Sequence, residues 1–556
     1  MRIILTIILA CFLSNSAFAQ SPSWAWATSG QNTKGNQDIC VTHDISGNIY
    51  AAGIFGGSIT FGDSTYVCLG KQCIYVTKQD REGRLIWSQT INGPEMHSVS
   101  SIAIDESGSL YVGGYTETDT PSATPLWKDL LIVKLTPNGA ISWRRWYGSK
   151  YSDAITGMAV DSKNNLVFTG YFSNPYLDDS LVLGNIVLVG QGGDDIFLAK
   201  MDSSGTVFWA KDIGTKHDEA VYSLGLTKND AMVVVANFTV SITLGNLPTI
   251  RSVSGIGVSG DYFVAEFDST GNALWAQVIG GNSYPNSTNN GEVQCMKLTI
   301  DKNGNIYVGG NYATCYAKIG PFVLPEPFDN QFSYDMWFAK LNPDGTVQWA
   351  KRAGGIELDF LRGLATDNSG NLLITGEAGF QCVFDVDTAQ VPLSASGYLF
   401  IVKYDSDGKF KWLKTNGGVK GAVGFGVTVS DDEVVVVGGF EDASLAFGKS
   451  VVYNSSLGNG FVAKLNKEGV GVPLTTAGQF SISPNPASNT LQLQTQQADQ
   501  FTSYQVSNAL GQKVGSGILK SQTQQSIGLP DLADGMYYFS LSGRVGGVTR
   551  KVSIQH

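Results

Sequence analysis

Acidic residues at matching places in a repeated sequence are the first candidates for chemistry. Asp153, Asp218 and Asp359, together with His97, each lie about eight residues before a turn of the Asp-x-x-Gly type or its counterpart. Clustered carboxylates repel one another and recruit a cation, a water molecule or a basic side chain. The pattern predicts a weak Ca²⁺ site at the three aspartates. The alternative is that each carboxylate hydrogen-bonds the backbone of an adjacent repeat.

Aromatic residues form a second candidate group. Tyr312, Tyr316, Phe328 and Tyr334 lie within one long connection, residues 311–334. Exposed aromatic rings suit contact with sugar rings or peptide side chains. We therefore predict that these four residues face a ligand.

Catalytic spacings are missing from the sequence. It contains no His-Glu-x-x-His motif, phosphate-binding loop or nucleophile elbow, and His43, His97, His217 and His556 stand apart. We therefore predict that the protein is not an enzyme and has no cofactor beyond the predicted Ca²⁺.

The cysteines indicate at most one disulfide. Seven are present, and Cys11 falls in the N-terminal apolar stretch. Cys68 and Cys73 are close enough to close a loop in an oxidising compartment, whereas the other four lack the spacing of a zinc site. We predict a Cys68–Cys73 disulfide.

The N-terminus and the overall charge restrict location and partners. Arg2, the apolar run 3–13 and the small-x-small sequence 17–19 predict a signal peptide, 1–19, and no later apolar run is long enough to cross a membrane. A net charge of −11 disfavours nucleic acid as a partner, since its binding depends on Lys and Arg.

A repeated pair of motifs indicates the elements that would position these residues. One motif is an apolar run with a Lys, a turn ending in Gly, and a Trp four residues later; the other is an Asp-x-x-Gly-Asn turn followed by a β-rich run ending in Gly. Six copies of the first motif end in Trp87, Trp143, Trp209, Trp275, Trp349 and Trp412. A seventh copy has Pro473 in place of Trp, and the chain begins with an extra Trp strand in SPSWAWATSG.

These repeats predict an all-β fold. Each unit has room for four short strands, and seven radial units would form a seven-bladed β-propeller over residues 20–465. Because Pro473 would disrupt the final strand, we predict that the N-terminal strand joins the last blade and closes the ring. The connections between second and third strands are long, and such loops on a rigid scaffold commonly carry binding residues.

The motifs resemble the seven-bladed propeller repeats of secreted bacterial proteins, which share a GNxYVTG-like turn and a DxFVAKxDxxGxxxW-like strand pair. After a predicted linker, 466–478, residues 479–556 read as a small β-sandwich. The order SPNP, NALGQ, DGMYYF and a terminal Lys-Val stretch resembles the type A C-terminal sorting domain of the Bacteroidetes type IX secretion system. The resemblance implies export by the type IX machinery and a location outside the cell or on its surface.

Three functions stay open at this level. The first is non-catalytic binding of a glycan or protein at the long-loop face. The second is cleavage of a surface polysaccharide by a hydrolase or lyase; a hydrolase needs two carboxylates about 5–9.5 Å apart. The third is a structural role in a surface layer.

Overall fold

The structure is a computed structural model that describes most of the chain after the predicted signal peptide. The described residues are 22–93, 95–117, 128–253, 260–282, 292–313, 315–325, 327, 333–355, 357–379, 382–385, 389–390, 397–415, 421–454, 458–467, 481–483, 487–495, 502–508, 513–529, 532–543 and 546–555. The predicted signal peptide and most of the predicted linker lie outside these ranges.

The chain forms two compact units, Met1–Gly469 and Val470–His556. Both are all-β. The described residues contain no helix, and hence none that is long and apolar enough to cross a membrane.

The first unit contains 41 of the described strands, in four runs along the chain. The first run is β1 (Trp24–Thr28), β2 (Gln31–Asn32), β3 (Asn36–His43), β4 (Ile49–Phe55), β5 (Ser58–Phe61), β6 (Ser64–Val67), β7 (Cys73–Gln79), β8 (Leu85–Ile91), β9 (Met96–Ile104), β10 (Leu110–Glu117), β11 (Lys128–Leu135) and β12 (Ile141–Tyr147). The second run is β13 (Asp153–Val160), β14 (Leu166–Ser173), β15 (Leu181–Leu183), β16 (Ile186–Leu188), β17 (Asp194–Met201), β18 (Val207–Ile213), β19 (Val221–Leu226), β20 (Met232–Phe238), β21 (Ser241–Ile242), β22 (Ile250–Arg251), β23 (Asp261–Phe267) and β24 (Ala273–Asn282). The third run is β25 (Glu292–Ile300), β26 (Ile306–Ala313), β27 (Tyr316–Ile319), β28 (Phe322–Leu324), β29 (Asp335–Leu341), β30 (Val347–Ala353), β31 (Phe360–Thr366), β32 (Leu372–Ala378), β33 (Val383–Asp385), β34 (Ala389–Gln390), β35 (Tyr398–Tyr404) and β36 (Phe410–Thr415). The fourth run is β37 (Ala422–Ser430), β38 (Glu433–Phe440), β39 (Ser444–Phe447), β40 (Ser450–Tyr453) and β41 (Asn459–Leu465).

Seven antiparallel sheets recur among these strands, each with an inner, second, third and outer strand. We number them sheet 1 (β3, β4, β7, β8), sheet 2 (β9–β12), sheet 3 (β13, β14, β17, β18), sheet 4 (β19, β20, β23, β24), sheet 5 (β25, β26, β29, β30), sheet 6 (β31, β32, β35, β36) and sheet 7 (β37, β38, β41, β1). The outer strand of sheet 7 is thus the N-terminal strand, which pairs antiparallel with β41. Each inner strand packs against the inner strand of the next sheet, and β37 packs against β3. Repeated sheets stacked in this way define a β-propeller type of architecture.

In sheets 1, 2, 3 and 6, a repeated Lys and a repeated Asp link two parts of the sheet at its lower edge, where the inner strand ends. The Lys of the third strand forms an ion pair with a carboxylate in the turn between inner and second strands. The Nζ–O distance is 2.6 Å for Lys200 and Asp161 and 2.9 Å for Lys403 and Asp367. In sheet 4, where Glu266 replaces the Lys, its carboxylate accepts a hydrogen bond from its own sheet's Trp instead.

In sheets 1, 2, 4 and 5 the repeated Trp donates a hydrogen bond to a carbonyl of the next sheet. Trp87 Nε1 donates to the Pro137 carbonyl at 3.0 Å, and Trp349 Nε1 donates to the Ser406 carbonyl at 3.2 Å. Trp26 of β1 makes the same kind of bond, to the Arg81 carbonyl of sheet 1 at 3.1 Å. The apolar core lies between neighbouring sheets, because side chains from adjacent sheets share buried clusters.

The long second-to-third connections form hairpins rather than open loops wherever they are described. The hairpins are β5–β6, β15–β16, β21–β22, β27–β28, β33–β34 and β39–β40. Their apolar residues, such as Leu183 and Phe447, are buried in the inter-sheet clusters. The β27 strand also hydrogen-bonds to β24, so the longest connection extends sheet 4. These connections therefore cover the outer strands instead of forming free binding loops.

The second unit contains two sheets. Its strands are β42 (Ser481–Ser483), β43 (Thr490–Gln494), β44 (Ser503–Asn508), β45 (Lys513–Ile518), β46 (Gln524–Gly528), β47 (Gly535–Gly543) and β48 (Gly546–Ile554). One sheet has the order β42-β43-β46 and the other β45-β44-β47-β48, and both contribute to one apolar core, for example through Leu493 and Phe539.

Candidate binding site

The upper edge of the sheets, where inner strands begin and second strands end, carries the candidate site. Every inner strand has a β-bulge near this edge, in which one residue has no partner on the second strand. The seven bulged residues are Ile39, Ser100, Thr156, Tyr222, Met296, Arg362 and Phe425. Equivalent bulges therefore place seven different side chains at one level of the inner strands.

The Gly that ends the second repeated motif is required by this bulge. An added Cβ at Gly376 would lie 1.9 Å from the Phe360 carbonyl oxygen, and one at Gly438 would lie 1.9 Å from that of Val423. Any larger residue would have to push the inner strand away. The Gly of the sequence motif thus marks the place where the backbones of the inner and second strands come close together.

A cleft of about 410 Å³ opens at the upper edge between sheets 7 and 1. We call it the seam cleft. Its lining includes the charged side chains Lys34, Lys71 and Glu441 and the rings of Phe55 and Phe425. Polar donors beside apolar ring surface are the usual lining of a small-ligand site.

Three asparagines fix the wall of the seam cleft. Asn32, Asn36 and Asn459 are each at least 95% buried, and the Asn32 amide donates to the side-chain oxygens of the other two. The Asn36 backbone N–H also donates to the Gly458 carbonyl at 3.2 Å. Segments from both ends of the first unit therefore meet in one satisfied polar network.

An aromatic and charged group lies on sheets 5 and 6 at the same edge. The ring centroids of Tyr334 and Phe360 are 5.5 Å apart, and the Arg362 guanidinium carbon lies 4.7 Å above the Phe360 ring. Burial raises the pKa of Glu377; the Arg362 charge acts in the opposite direction, and the Glu441 charge raises it further. These two glutamates therefore lie close enough to interact.

The predicted aspartates do not form a cation site within the described part of the chain. Asp153 and Asp359 are fully buried, and no group of three or more described His, Cys, Asp or Glu residues is arranged to hold a metal ion. The Asp153 carboxylate accepts bonds from the backbone and hydroxyl of Ser149, and Asp359 accepts from the Gly379 N–H at 2.7 Å. Both carboxylates thus accept hydrogen bonds from groups of their own repeat. The alternative prediction placed these bonds on the backbone of an adjacent repeat.

Asp218 is displaced by one residue from the equivalent position. The turn of sheet 4 begins at Thr227, and the residue eight positions earlier is Glu219. Glu219 is fully buried and accepts from the Thr215 N–H at 2.7 Å, as Asp153 does from Ser149. Asp218 instead accepts a bond from the Asp194 N–H at 3.2 Å.

Burial controls the titration of these carboxyl groups. It raises the pKa of Asp153, Glu219 and Asp359 to about 7 in each case, although hydrogen bonds to the carboxylates act in the opposite direction. The three carboxyl groups are fully buried at the upper edge.

The predicted aromatic residues separate into different environments. Tyr312 is fully buried and donates to the Pro325 carbonyl at 2.8 Å, so it belongs to the core and not to a ligand face. Tyr316 is half-buried in β27, Tyr334 lies beside Phe360, and Phe328 lies outside the described residues. Of the three described residues, Tyr334 is the one that lies in the group around Arg362.

Cys68 and Cys73 are joined by a disulfide, with their Cα atoms 5.6 Å apart. The bond closes the connection between β6 and β7, one residue from Gln72 in the wall of the seam cleft. It therefore constrains the loop that contains Lys71 and Gln72.

Arg362, Phe425, Glu377 and Lys297 are not singled out by residue type alone. The repeats do contain a pattern that locates two of them: each bulged residue lies five positions before the turn that follows its inner strand. Counting back from Asp367 gives Arg362, and counting back from Ser430 gives Phe425.

Comparison with known proteins identifies the second unit. Residues 481–555 match the family described as the secretion system C-terminal sorting domain. The protein is therefore exported by the type IX system and is secreted or held at the cell surface.

The first unit has more distant relatives. The chain is 25% identical, over 79% of its length, to an uncharacterised WD repeat-containing protein of Acanthamoeba polyphaga mimivirus, and it spans 38% of that relative's length. Among solved structures it is similar to the WD40 β-propeller domain of Doa1, at 8% identity and a TM-score of 0.38, covering 80% of this chain and 97% of that one. It is also similar to the β-propeller domain of the Trilobed protease from Pyrococcus furiosus, at 10% identity and a TM-score of 0.33, covering 79% and 99%.

Proposed function

We propose that this secreted protein is a seven-bladed β-propeller, closed by its N-terminal strand, that binds a glycan at its upper edge without catalysis. The observation that carries the functional part is the seam cleft, which combines two lysines, side-chain amides and the partly exposed Phe425 in about 410 Å³.

Ring closure is supported by three features of β1. It pairs with β41, Trp26 donates to sheet 1 as four of the repeated Trp residues donate to their next sheets, and Trp24 packs edge-on against Phe447 at 4.7 Å. The inner strands of sheets 7 and 1, β37 and β3, pack against each other as the inner strands of the other consecutive sheets do.

The size of the cleft favours a glycan over a folded partner. A volume of this order lies within the range of small-ligand sites. A stable protein interface buries about 800 Å² on each partner and usually presents a broader surface. A few linked sugar rings would fill the seam cleft while extending along the upper edge.

Non-catalytic binding is supported by the state of the acidic residues. The carboxylates of Asp153, Glu219 and Asp359 are buried and hydrogen-bonded to their own turns. They are therefore committed to structure and not to attack on, or protonation of, a glycosidic bond.

Glu377 and Glu441 support one alternative, a polysaccharide hydrolase or lyase. They come from neighbouring sheets, and the raised pKa of Glu377 suits a general acid. Glu441 lines the seam cleft, so a chain bound there would pass the pair.

A glycan array with the mature protein tests the proposal, followed by analysis of the bound glycan for cleavage. We expect binding that Phe425→Ala weakens and Phe208→Ala does not, because Phe208 is an exposed ring on the outer strand of sheet 3. Cleavage at enzymatic rates that is lost in Glu377→Gln would establish the alternative. A protein that binds no glycan would contradict the proposal.

A further inference from the structure

Lys297 is an exception in a set of small residues. The residue that follows each bulge is Cys40, Ser101, Gly157, Ser223, Lys297, Gly363 or Gly426. These positions face the neighbouring inner strand: the Ser101 hydroxyl accepts from the Met158 N–H at 3.1 Å, and Ser223 accepts from the Leu298 N–H at 3.2 Å. None of the other six sheets has a long charged side chain at the position after the bulge.

Lys297 lies among the inner strands of several sheets. Burial lowers the pKa of its ammonium, the Cys40 group of sheet 1 acts in the opposite direction, and the Arg362 charge of sheet 6 lowers it further. The strand that carries Lys297, β25, packs against β31, the inner strand that carries Arg362. The Lys297 side chain is partly exposed, and no ion pair joins its ammonium to a described carboxylate.

Arg362 provides a second unsatisfied cation one sheet away. Its Nε is buried and donates to no described group, and its guanidinium carbon stacks on Phe360. Glu377 is the nearest carboxylate that influences it, yet the two form no ion pair within 4.0 Å. Stacking holds the guanidinium plane in place and leaves its N–H groups free to bind an oxyanion in two-point fashion.

Two neighbouring cations with no carboxylate at ion-pair distance repel each other unless an anion lies between them. We propose that Lys297 and Arg362 form an anion subsite that accepts the carboxylate of an acidic sugar bound at the upper edge. The inference rests on the proposed function, because Tyr334 and Phe360 would contact the sugar ring whose carboxylate reaches Arg362.

Isothermal titration of the mature protein with short oligomers of galacturonate, alginate and hyaluronate tests this subsite, each oligomer being paired with its methyl ester. We expect at least one acid form to bind about tenfold or more tightly than its ester, because the ester cannot form charge-assisted bonds. Arg362→Gln and Lys297→Gln should abolish that preference, and Arg362→Lys should retain part of it.

Arg145→Gln is the matched control. Arg145 also stacks on an aromatic ring, with its guanidinium carbon 5.2 Å from the Trp143 centroid, but it lies on the outer strand of sheet 2. Equal affinity for acids and esters, no binding of any acid, or a preference that survives Arg362→Gln would overturn the subsite. If the esters still bound and Phe425→Ala weakened that binding, the proposed glycan binding would hold without the anion subsite.

Discussion

Single carboxyl groups at the upper edge link the structure of the sheets to pH. The Asp359 carboxyl is fully buried, and burial raises its pKa to about 7, while the Gly379 N–H and the Cys382 thiol act in the opposite direction. In the unfolded chain an aspartate has a pKa of about 3.9. The folded protein therefore binds an extra proton between these values, and the stabilising contribution of the protonated form is lost as the pH rises through about 7.

Asp359→Asn should remove this part of the pH dependence. The amide oxygen can still accept the Gly379 N–H, and no charge has to be buried at neutral pH. Thermal melts from pH 5 to 8 should show the variant gaining stability relative to the wild type as the pH rises. Asp344→Asn is the control, since hydrogen bonds from Thr346 lower the pKa of that exposed group. If the melting temperatures of Asp359→Asn and the wild type changed with pH in the same way, Asp359 would not be the source of this pH dependence.

The bulged residues show how much residue type alone can predict. The sequence shows that the Gly at the end of the second motif belongs to a repeat. Why Gly is needed there becomes clear only from the paired strands, where an added Cβ would lie 1.9 Å from a carbonyl oxygen. Arg362 and Lys297 differ from their counterparts in the other sheets, and that difference becomes visible only after the bulge aligns the repeats.

At the scale of elements, the strands and turns follow directly from the sequence, whereas the long connections do not. The Asp-x-x-Gly turns, the Lys and the Trp all occur where the motifs predict them. The connections were expected to be open loops with exposed rings, yet Tyr312 is core and Phe447 packs against Phe461 at 4.9 Å. Alternating apolar residues around Gly62, Gly184, Gly245, Gly320 and Gly448, all with positive φ, are the pattern that predicts these hairpins.

Two adjacent glycines test the bulge directly. An added Cβ at Gly438 would lie 1.9 Å from the Val423 carbonyl oxygen, whereas the nearest atom to one at Gly439 is Gln37 Cγ at 3.4 Å. Gly438→Ala should lower the free energy of unfolding by about 2 kcal/mol or more, and Gly439→Ala should change it by about 0.5 kcal/mol or less. Chemical denaturation measures both. Similar losses at the two positions would show that the close backbone approach is not what excludes a side chain.

Removal of residues 22–28 tests the role of the N-terminal strand. Sheet 7 would lose its outer strand together with the Trp24–Phe447 contact and the Trp26 bond to sheet 1. The melting temperature of the first unit should fall by about 5 °C or more. Trp146→Ala, at a half-exposed Trp in the outer strand of sheet 2, should change it little. An unchanged melting temperature after the deletion would mean that β1 does not close the ring.

At the scale of the whole molecule, the two units have separate tasks. The sorting domain directs export, and its own apolar core contains residues of the second unit alone. Deletion of residues 476–556 should therefore leave the protein in the periplasm with a first unit that melts as before. Cell fractionation and melting curves of the retained protein check both parts. Surface display of the truncated chain would contradict the role of the tail.

Hydrogen–deuterium exchange of the mature protein, with and without the tightest-binding glycan from the array, tests the central claim most directly. Binding at the upper edge should slow exchange in residues 34–37, 71–72, 421–425 and 439–441, which line the seam cleft. The hairpins β15–β16 and β39–β40 on the outer strands should exchange as in the free protein. Protection confined to those hairpins, with none around the seam cleft, would contradict the proposal that this protein binds its ligand at the upper edge.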